Sequence, residues 1–206
     1  MHKLNVLVAG STGYIGIQLI KLLSNHKSVL IKYLCGNTSI GKKISYFDKS
    51  LDTKKLPKIV EFNKTFLKNV DLIFTALPNG KAQEISKHLL KKNVLIDLAA
   101  DFRLQKAQSY LKWYKQKHRA NSKIKDSIYA LPELSENKIK KFNIISFSLL
   151  GLMPSIIGNE HKNFAFSKSI ELIGIPLGIE IFLTFFRNLL FETISITVFP
   201  TAIANG

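Results

Sequence analysis

Cysteine is almost absent from this chain, and the single one that occurs, Cys35, limits the available chemistry. One cysteine cannot form an intramolecular disulfide and cannot build a multi-cysteine metal site. We therefore expect no metal centre. A chain without disulfides suits a reducing compartment, which predicts a cytoplasmic location.

Long apolar runs are scarce as well. An apolar stretch at 172–186 is 15 residues long and is interrupted by two glycines, a proline and a glutamate. A membrane-spanning helix needs about 20 mostly apolar residues. The first residues run directly into a glycine loop, which is unlike a signal peptide. The sequence therefore predicts no membrane association.

Arginine is scarce in a chain whose formal net charge is +16, because 27 of its 30 basic residues are lysine. Nucleic-acid surfaces favour arginine, which contacts phosphate and guanine through two parallel hydrogen bonds. A hydrated lysine surface is the first explanation of the charge. Attraction to anionic ligands, such as a phosphorylated substrate, comes second. Nucleic-acid binding is the third alternative, and we expect no such partner.

The composition changes near Ser146. Residues 147–206 hold only 3 of the 30 Lys and Arg residues, 4 of the 14 Asp and Glu residues, but 8 of the 14 phenylalanines. Such a break marks a boundary. It predicts a domain at 1–146 and, at 147–206, an incomplete or aberrant remainder of a second domain whose fold the pattern does not indicate.

Hydrophobic periodicity predicts strands that alternate with helices over the first domain. Residues 42–57 show no clear pattern. The alternation is typical of βαβ units, and the predicted fold class is α/β with a doubly wound, Rossmann-type parallel sheet. Strands are predicted at 3–9, 29–35, 58–62, 71–76, 93–97 and 143–147, and helices at 14–23, 81–92 and 107–115.

A GxxGxxG loop lies between the first predicted strand and the first predicted helix. Gly10 allows the sharp turn off the strand, Gly13 allows close approach of a pyrophosphate, and Gly16 allows tight helix–sheet packing. The helix N-terminus then presents free N–H groups to the phosphates. The loop therefore predicts a dinucleotide site.

The end of the second predicted strand favours NADP over NAD. An NAD site places a carboxylate there for the ribose 2′-hydroxyl, but residues 35–43 contain none. Asn37, Ser39, Lys42 and Lys43 suit a 2′-phosphate, although the two lysines are equally compatible with a hydrated surface. We interpret Cys35 as a packing residue and not as a nucleophile.

Three further stretches carry a family resemblance: Ala76-Leu77-Pro78-Asn79-Gly80, the D-L-A-A-D-F-R-L run that begins at Asp97, and Y-A-L-P-E-L from Tyr129. With the glycine loop they resemble N-acetyl-gamma-glutamyl-phosphate reductase over residues 3–146. The sibling aspartate-semialdehyde dehydrogenases share the fold and the thioester chemistry but lack the last two stretches.

The resemblance implies NADPH-dependent reduction of a small-molecule acyl phosphate, N-acetylglutamyl phosphate, to the semialdehyde in arginine synthesis, by an enzyme that is a homo-oligomer when intact. It places Asp101 and Arg103 on the substrate side, with the alternative that both only fix a loop. The residues that it assigns to the cofactor are Gly10, Ser11, Thr12, Gly13, Tyr14, Gly16, Leu77 and Pro78.

The resemblance stops where the family's chemistry begins. A family member carries a P-G-C motif after the strand at 143–146, and its cysteine forms the thioester. This chain has no cysteine beyond Cys35, and His161 does not match the family's histidine motif. No catalytic residue is therefore carried over. Two hypotheses fit: residues from about 147 are read in another frame or joined from elsewhere, or the protein is a non-catalytic dinucleotide-binding module.

Overall fold

The computed structural model describes residues 3–52, 54–130, 139 and 141–146. Within them, seven strands form one parallel sheet in the order β3-β2-β1-β4-β5-β7-β6. The strands are β1 Leu4–Ala9, β2 Val29–Cys35, β3 Ile59–Val60, β4 Leu72–Thr75, β5 Val94–Asp97, β6 Ser127–Tyr129 and β7 Ile144–Ser146. The helices are α1 Tyr14–Asn25, α2 Lys81–Ser86, α3 Ala107–Tyr114 and α4 Asn121–Ile124.

The sheet has an apolar cluster on each face. In β1, Val6 and Val8 point into one cluster, while Leu7 and Ala9 point into the other. Such alternation follows from the two-residue period of a strand. Helix α1 packs Leu19, Ile20 and Leu23 on the first face, and α2 packs Ala82 and Ile85 on the second. Helices on both faces of a parallel sheet confirm the doubly wound α/β prediction.

Helix α2 is shorter than the predicted helix at 81–92, so that prediction was wrong in its second half. The helix ends at Ser86, and the next turn is tightened, because the N–H groups of His88 and Leu89 bond to carbonyls three residues back. Asn93 closes the turn that follows, because its side-chain oxygen accepts from the N–H of Leu90 while its amide nitrogen donates to the Leu67 and Val70 carbonyls. Because Leu67 and Val70 come from another part of the chain, periodicity does not reveal the helix end.

Two short elements at the far edge of the sheet were not predicted. Strand β6 has three residues and follows the four-residue helix α4. Neither is long enough to show a period. Residues 42–57, which had no clear pattern, contain two short 3₁₀ turns at Ile44–Tyr46 and Lys49–Leu51.

Part of the sequence-based interpretation lies outside the described residues. This applies to Leu131–Leu134 of the Y-A-L-P-E-L stretch and to 147–206, so the domain boundary near Ser146 remains a prediction. Among the described residues, no helix is long and apolar enough to cross a membrane. In the same part of the chain, no group of three or more His, Cys, Asp or Glu side chains is arranged to hold a metal ion.

Candidate dinucleotide site

The strands end in register along the carboxyl edge of the sheet. Neighbouring strands pair through their last residues, in the order Cys35, Ala9, Thr75, Asp97, Ser146 and Tyr129. The strand order reverses at β1, where β2 and β3 lie on one side and β4, β5, β7 and β6 lie on the other. Ligands of open α/β sheets bind at this edge, in the crevice at the reversal. The glycine loop and the Leu77–Gly80 loop both start there.

The first and third glycines of the loop are required by the fold itself. Gly10 has φ +86°, and a Cβ there would lie 2.2 Å from the carbonyl oxygen of Ala76. A Cβ on Gly16 would lie 2.1 Å from the carbonyl oxygen of Gly10. These glycines therefore let the loop fold onto itself and onto the start of the Ala76–Gly80 segment.

The middle glycine is different. Gly13 has φ −73°, which any residue adopts, and a Cβ there would lie 3.5 Å from the Gly10 carbonyl oxygen, an ordinary contact. The fold thus gives no reason for glycine at this exposed position. A ligand that approaches the backbone closely supplies such a reason.

Helix α1 begins directly after Gly13 and leaves its first N–H groups without a side-chain cap. No side chain of the described residues bonds to this N-terminus, and its first turn has no acidic residue. The free N–H groups and the helix dipole favour an anion at this point. Tyr14 is 81% exposed and Thr12 is half-buried, so both side chains border the same surface.

Ser11 anchors the loop to β2. It is fully buried, and its hydroxyl donates to the Cys35 carbonyl at 3.0 Å; the N–H groups of Gly10 and Ser11 donate to the same oxygen. Ser11 therefore shapes the loop while its hydroxyl is occupied. Burial raises the pKa of the Cys35 thiol to about 12, which leaves it protonated and unreactive at neutral pH.

The loop after β2 carries the residues expected near a 2′-phosphate. Asn37, Lys42 and Lys43 are exposed, whereas Ser39 is buried and its carbonyl accepts from the N–H of Lys42. Lys42 also lies over the Tyr46 ring, 4.1 Å from its centroid. An open cleft of about 490 Å³ adjoins them, lined by Lys42, Lys43, Ser45, Tyr46, Lys49 and Asp52.

The first carboxylate after β2 is unavailable to a ribose. Asp48 forms an ion pair with Lys21 at 2.7 Å and accepts from Ser50. The hydrogen bond from Lys21 and those from Ser50 lower the pKa of Asp48 to about 2. Residues 36–51 therefore offer no free carboxylate to a ribose 2′-hydroxyl, which agrees with the preference for NADP predicted from the sequence.

Asp101 is buried beneath the Leu77–Gly80 loop. It accepts from the N–H of Gly80 at 2.6 Å, the N–H and side-chain amide of Gln83, and the hydroxyl of Tyr110 at 2.8 Å. In this loop Pro78 is exposed and Leu77 is half-buried. The fully buried Asp101 carboxylate is thus engaged in fixing a loop, which was the alternative to a substrate-side role.

Arg103 lies in the turn that follows β5. Its Nη2 donates to the Ala99 carbonyl at 3.1 Å, and its guanidinium carbon lies 5.9 Å from the centre of the Tyr129 ring. Two buried polar atoms have no hydrogen-bond partner among the described residues, the Nε of Arg103 and the hydroxyl of Ser146. Buried polar groups are normally paired, so these two atoms are exceptions among the described residues.

Asp97, at the end of β5, holds the start of the Asp-Phe-Arg turn. Its carboxylate accepts from the Thr75 hydroxyl and from the N–H groups of Ala99, Asp101 and Phe102. Burial, and then the charge of Asp101, raise the pKa of Asp97 to about 6. The proton is therefore held more tightly in the folded chain than in the unfolded one.

We expect this buried carboxyl to make stability fall as pH rises between about 4 and 6. Because the pKa of Asp97 is higher in the folded chain than in the unfolded chain, its protonation stabilises the fold at a pH below the unfolded pKa. That stabilisation, on the order of 3 kcal/mol, is lost as the pH rises through the folded pKa. Urea unfolding across this range should show the slope in the native chain and in an Asp52→Asn control, which alters an exposed carboxyl. An Asp97→Asn variant that kept the same slope would contradict the assignment.

The sequence did not reveal several residues that support the crevice. Thr75, Gln83 and His118 are buried and polar, and they lie in segments with no recognisable motif. A polar residue at the end of an apolar strand is one sequence signal for such a supporting position, and Thr75 and Ser146 are examples. Gln83 and His118 are identified only by their contacts with Asp101.

A parallel, doubly wound sheet with a glycine loop between β1 and α1 defines a dinucleotide-binding domain of the Rossmann type. Residues 5–142 match the family model described as "Semialdehyde dehydrogenase, NAD binding domain", and the chain belongs to that family.

Curated relatives confirm the resemblance read from the sequence. The chain is 37% identical over 143 residues to N-acetyl-gamma-glutamyl-phosphate reductase of Acinetobacter baylyi, which covers 69% of this chain and 41% of the relative. It is 36% identical over 179 residues to the protein of the same name from Psychrobacter sp., which covers 82% of this chain and 50% of the relative. The chain thus spans half or less of the length of these relatives.

Among solved structures, aspartate semialdehyde dehydrogenase with NADP from Candida albicans aligns with a TM-score of 0.46 at 22% identity. That alignment covers 70% of this chain and 42% of the other.

Proposed function

We propose that residues 3–146 form the NADP-binding domain of an N-acetyl-gamma-glutamyl-phosphate reductase of arginine synthesis, located in the cytosol. The observation that carries the proposal is Gly13, an exposed glycine that the fold does not require, at the uncapped N-terminus of α1. The pyrophosphate would lie against the Gly10–Gly16 loop. When bound, NADPH would supply the hydride for reduction of an acyl phosphate.

The two halves of the cofactor are assigned to opposite sides of β1. The adenosine 2′-phosphate is assigned to Asn37, Lys42 and Lys43, which are exposed on the β2 side. The nicotinamide half is assigned to the Leu77–Gly80 loop on the β4 side. This division follows from the reversal of strand order at β1.

The substrate end is assigned to Arg103, with Ser146 and Tyr129 beside it. A guanidinium is suited to an acyl phosphate because it offers several donors in one plane, and its Nε has no partner among the described residues. No nucleophile is assigned in this domain, because the buried thiol of Cys35 remains protonated. The domain is therefore assigned the binding and orientation of cofactor and substrate. The family's thioester step is not assigned to it.

Thermal unfolding of the full chain with NADPH tests the proposal. NADPH at about 100 times its dissociation constant should stabilise the native chain by about 3 kcal/mol, which raises the melting temperature by about 5–10 °C. A Lys42→Ala/Lys43→Ala variant should lose about tenfold in NADPH affinity and little in NADH affinity, since it removes two charges that face the 2′-phosphate.

Lys87→Ala/Lys91→Ala is the matched control, because it removes two exposed lysines elsewhere on the domain. Absence of any NADPH protection in the native chain would overturn the proposal. An equal loss of NADPH affinity in both double variants would overturn the 2′-phosphate assignment.

A further inference from the structure

Asp101 is a buried carboxylate that the proposed binding contacts do not use. It is 0% exposed. Its partners are all donors: Gly80 and Gln83 from the start of α2, and Tyr110 from α3. A buried charge is tolerated when donors of this kind surround it. The carboxylate therefore joins its own turn to α3 and to the start of α2, whose residues lie 18 to 21 positions earlier.

A second layer of contacts makes the cluster rigid. The ring nitrogen Nε2 of His118 lies 2.9 Å from the Asp101 carbonyl oxygen. The His118 ring also packs edge-on against Phe102 and Tyr110, with centroids 5.4 and 5.1 Å apart. The N–H of Arg119 donates to the side-chain carbonyl of Gln83 at 2.6 Å. Gln83 is thus held from both sides.

The cluster contacts the Leu77–Gly80 loop through Gly80. Gly80 has φ +90° and ends this loop, with its N–H on Asp101. At the other end, the N–H of Ala76 donates to the Ala9 carbonyl, and the Ala76 carbonyl packs against Gly10. The loop is therefore fixed to the glycine loop at its start and to Asp101 at its end.

We propose that Asp101, together with Gln83 and Tyr110, is a positioning residue that holds the Leu77–Gly80 loop in place for the nicotinamide half of the cofactor. This inference rests on the proposed function, because it assumes NADP binding at the crevice. It assigns Asp101 no contact with cofactor or substrate. Loss of the Asp101 hydrogen bonds should free one end of the Leu77–Gly80 loop. It should leave the part of the site on the β2 side, which is assigned to the adenosine half, unchanged.

The test compares two ligands on the full chain: NADPH, and 2′,5′-ADP, which has only the adenosine half. Asp101→Asn keeps the shape but removes the charge and replaces one of the two acceptor oxygens with a donor. It should weaken NADPH binding about tenfold. This is the low end of the loss in affinity seen when a residue that supports a ligand-contacting group by hydrogen bonds is removed. Affinity for 2′,5′-ADP should stay within about twofold of the native value, a selective change that general destabilisation does not produce.

Tyr110→Phe is the second variant, because it removes one donor and keeps the ring, so the inference remains testable if Asp101→Asn does not fold. It should weaken NADPH binding about threefold and leave 2′,5′-ADP unchanged. Glu84→Gln is the control on the same helix, where it removes a carboxylate whose ion pairs, with Lys81 and Arg119, are exposed and lie outside the Asp101 cluster.

Unchanged NADPH affinity in the variants, or an equal loss for both ligands, would overturn the positioning role alone. A native chain that binds neither ligand would overturn the proposed function and this inference with it.

Discussion

Replacing Gly10 with alanine should lower the free energy of unfolding by about 4 kcal/mol, one of the two largest effects expected in this chain. Two costs add at this position. The backbone has φ +86°, and the new Cβ would lie 2.2 Å from the Ala76 carbonyl oxygen. Left-handed backbone alone costs about 1 kcal/mol for a non-glycine residue, and overpacking against backbone adds about 3 kcal/mol. Urea unfolding measures the total.

Gly41→Ala is the matched control for this prediction. Gly41 has nearly the same backbone, with φ +83°, but nothing lies within 4 Å of its Cβ position. It should therefore show only the cost of the backbone conformation, about 1 kcal/mol. Equal losses in the two variants would mean that the contact between the glycine loop and Ala76 contributes nothing.

Replacing Gly13 with alanine should leave the fold intact and weaken NADPH binding about 30-fold. The added Cβ meets only an ordinary 3.5 Å contact within the protein, and φ is −73°. The cofactor's pyrophosphate, however, is expected to lie against this backbone. A 30-fold loss corresponds to about 2 kcal/mol of binding free energy.

Calorimetric titration with NADPH and a thermal melt of the same sample separate the two quantities for Gly13→Ala. A melting temperature within about 2 °C of native with a large loss of affinity is the expected pair of results. Native affinity in this variant would show that the pyrophosphate does not approach Gly13.

The sequence predicts the central part of the sheet well, because those elements carry strong local signals. Strands β1, β2, β4 and β5 are rich in Val, Leu and Ile, which is typical of buried parallel strands. Helix α1 shows its apolar face at Ile15, Leu19 and Leu22. The glycine loop was identified from its place between these elements.

What the sequence does not show depends on contacts between distant segments. The turn between α2 and β5 is held by Asn93, which donates to the carbonyls of Leu67 and Val70. The hydrogen bonds of Asp101 come from Gly80 and Gln83, which lie 21 and 18 residues earlier. The sequence also does not distinguish the three glycines of the loop. Only the structure shows that the fold requires glycine at Gly10 and Gly16 and has space for a Cβ at Gly13.

Titration of the full chain with NADPH at several salt concentrations tests the central claim most directly. A dinucleotide site at the crevice predicts saturable binding with one molecule per chain, competition by 2′,5′-ADP, and a shallow dependence on salt. Binding of a nucleic acid would instead weaken steeply as salt rises, because counterions are released from many phosphates. No saturable NADPH binding, together with steeply salt-dependent RNA binding, would contradict the account.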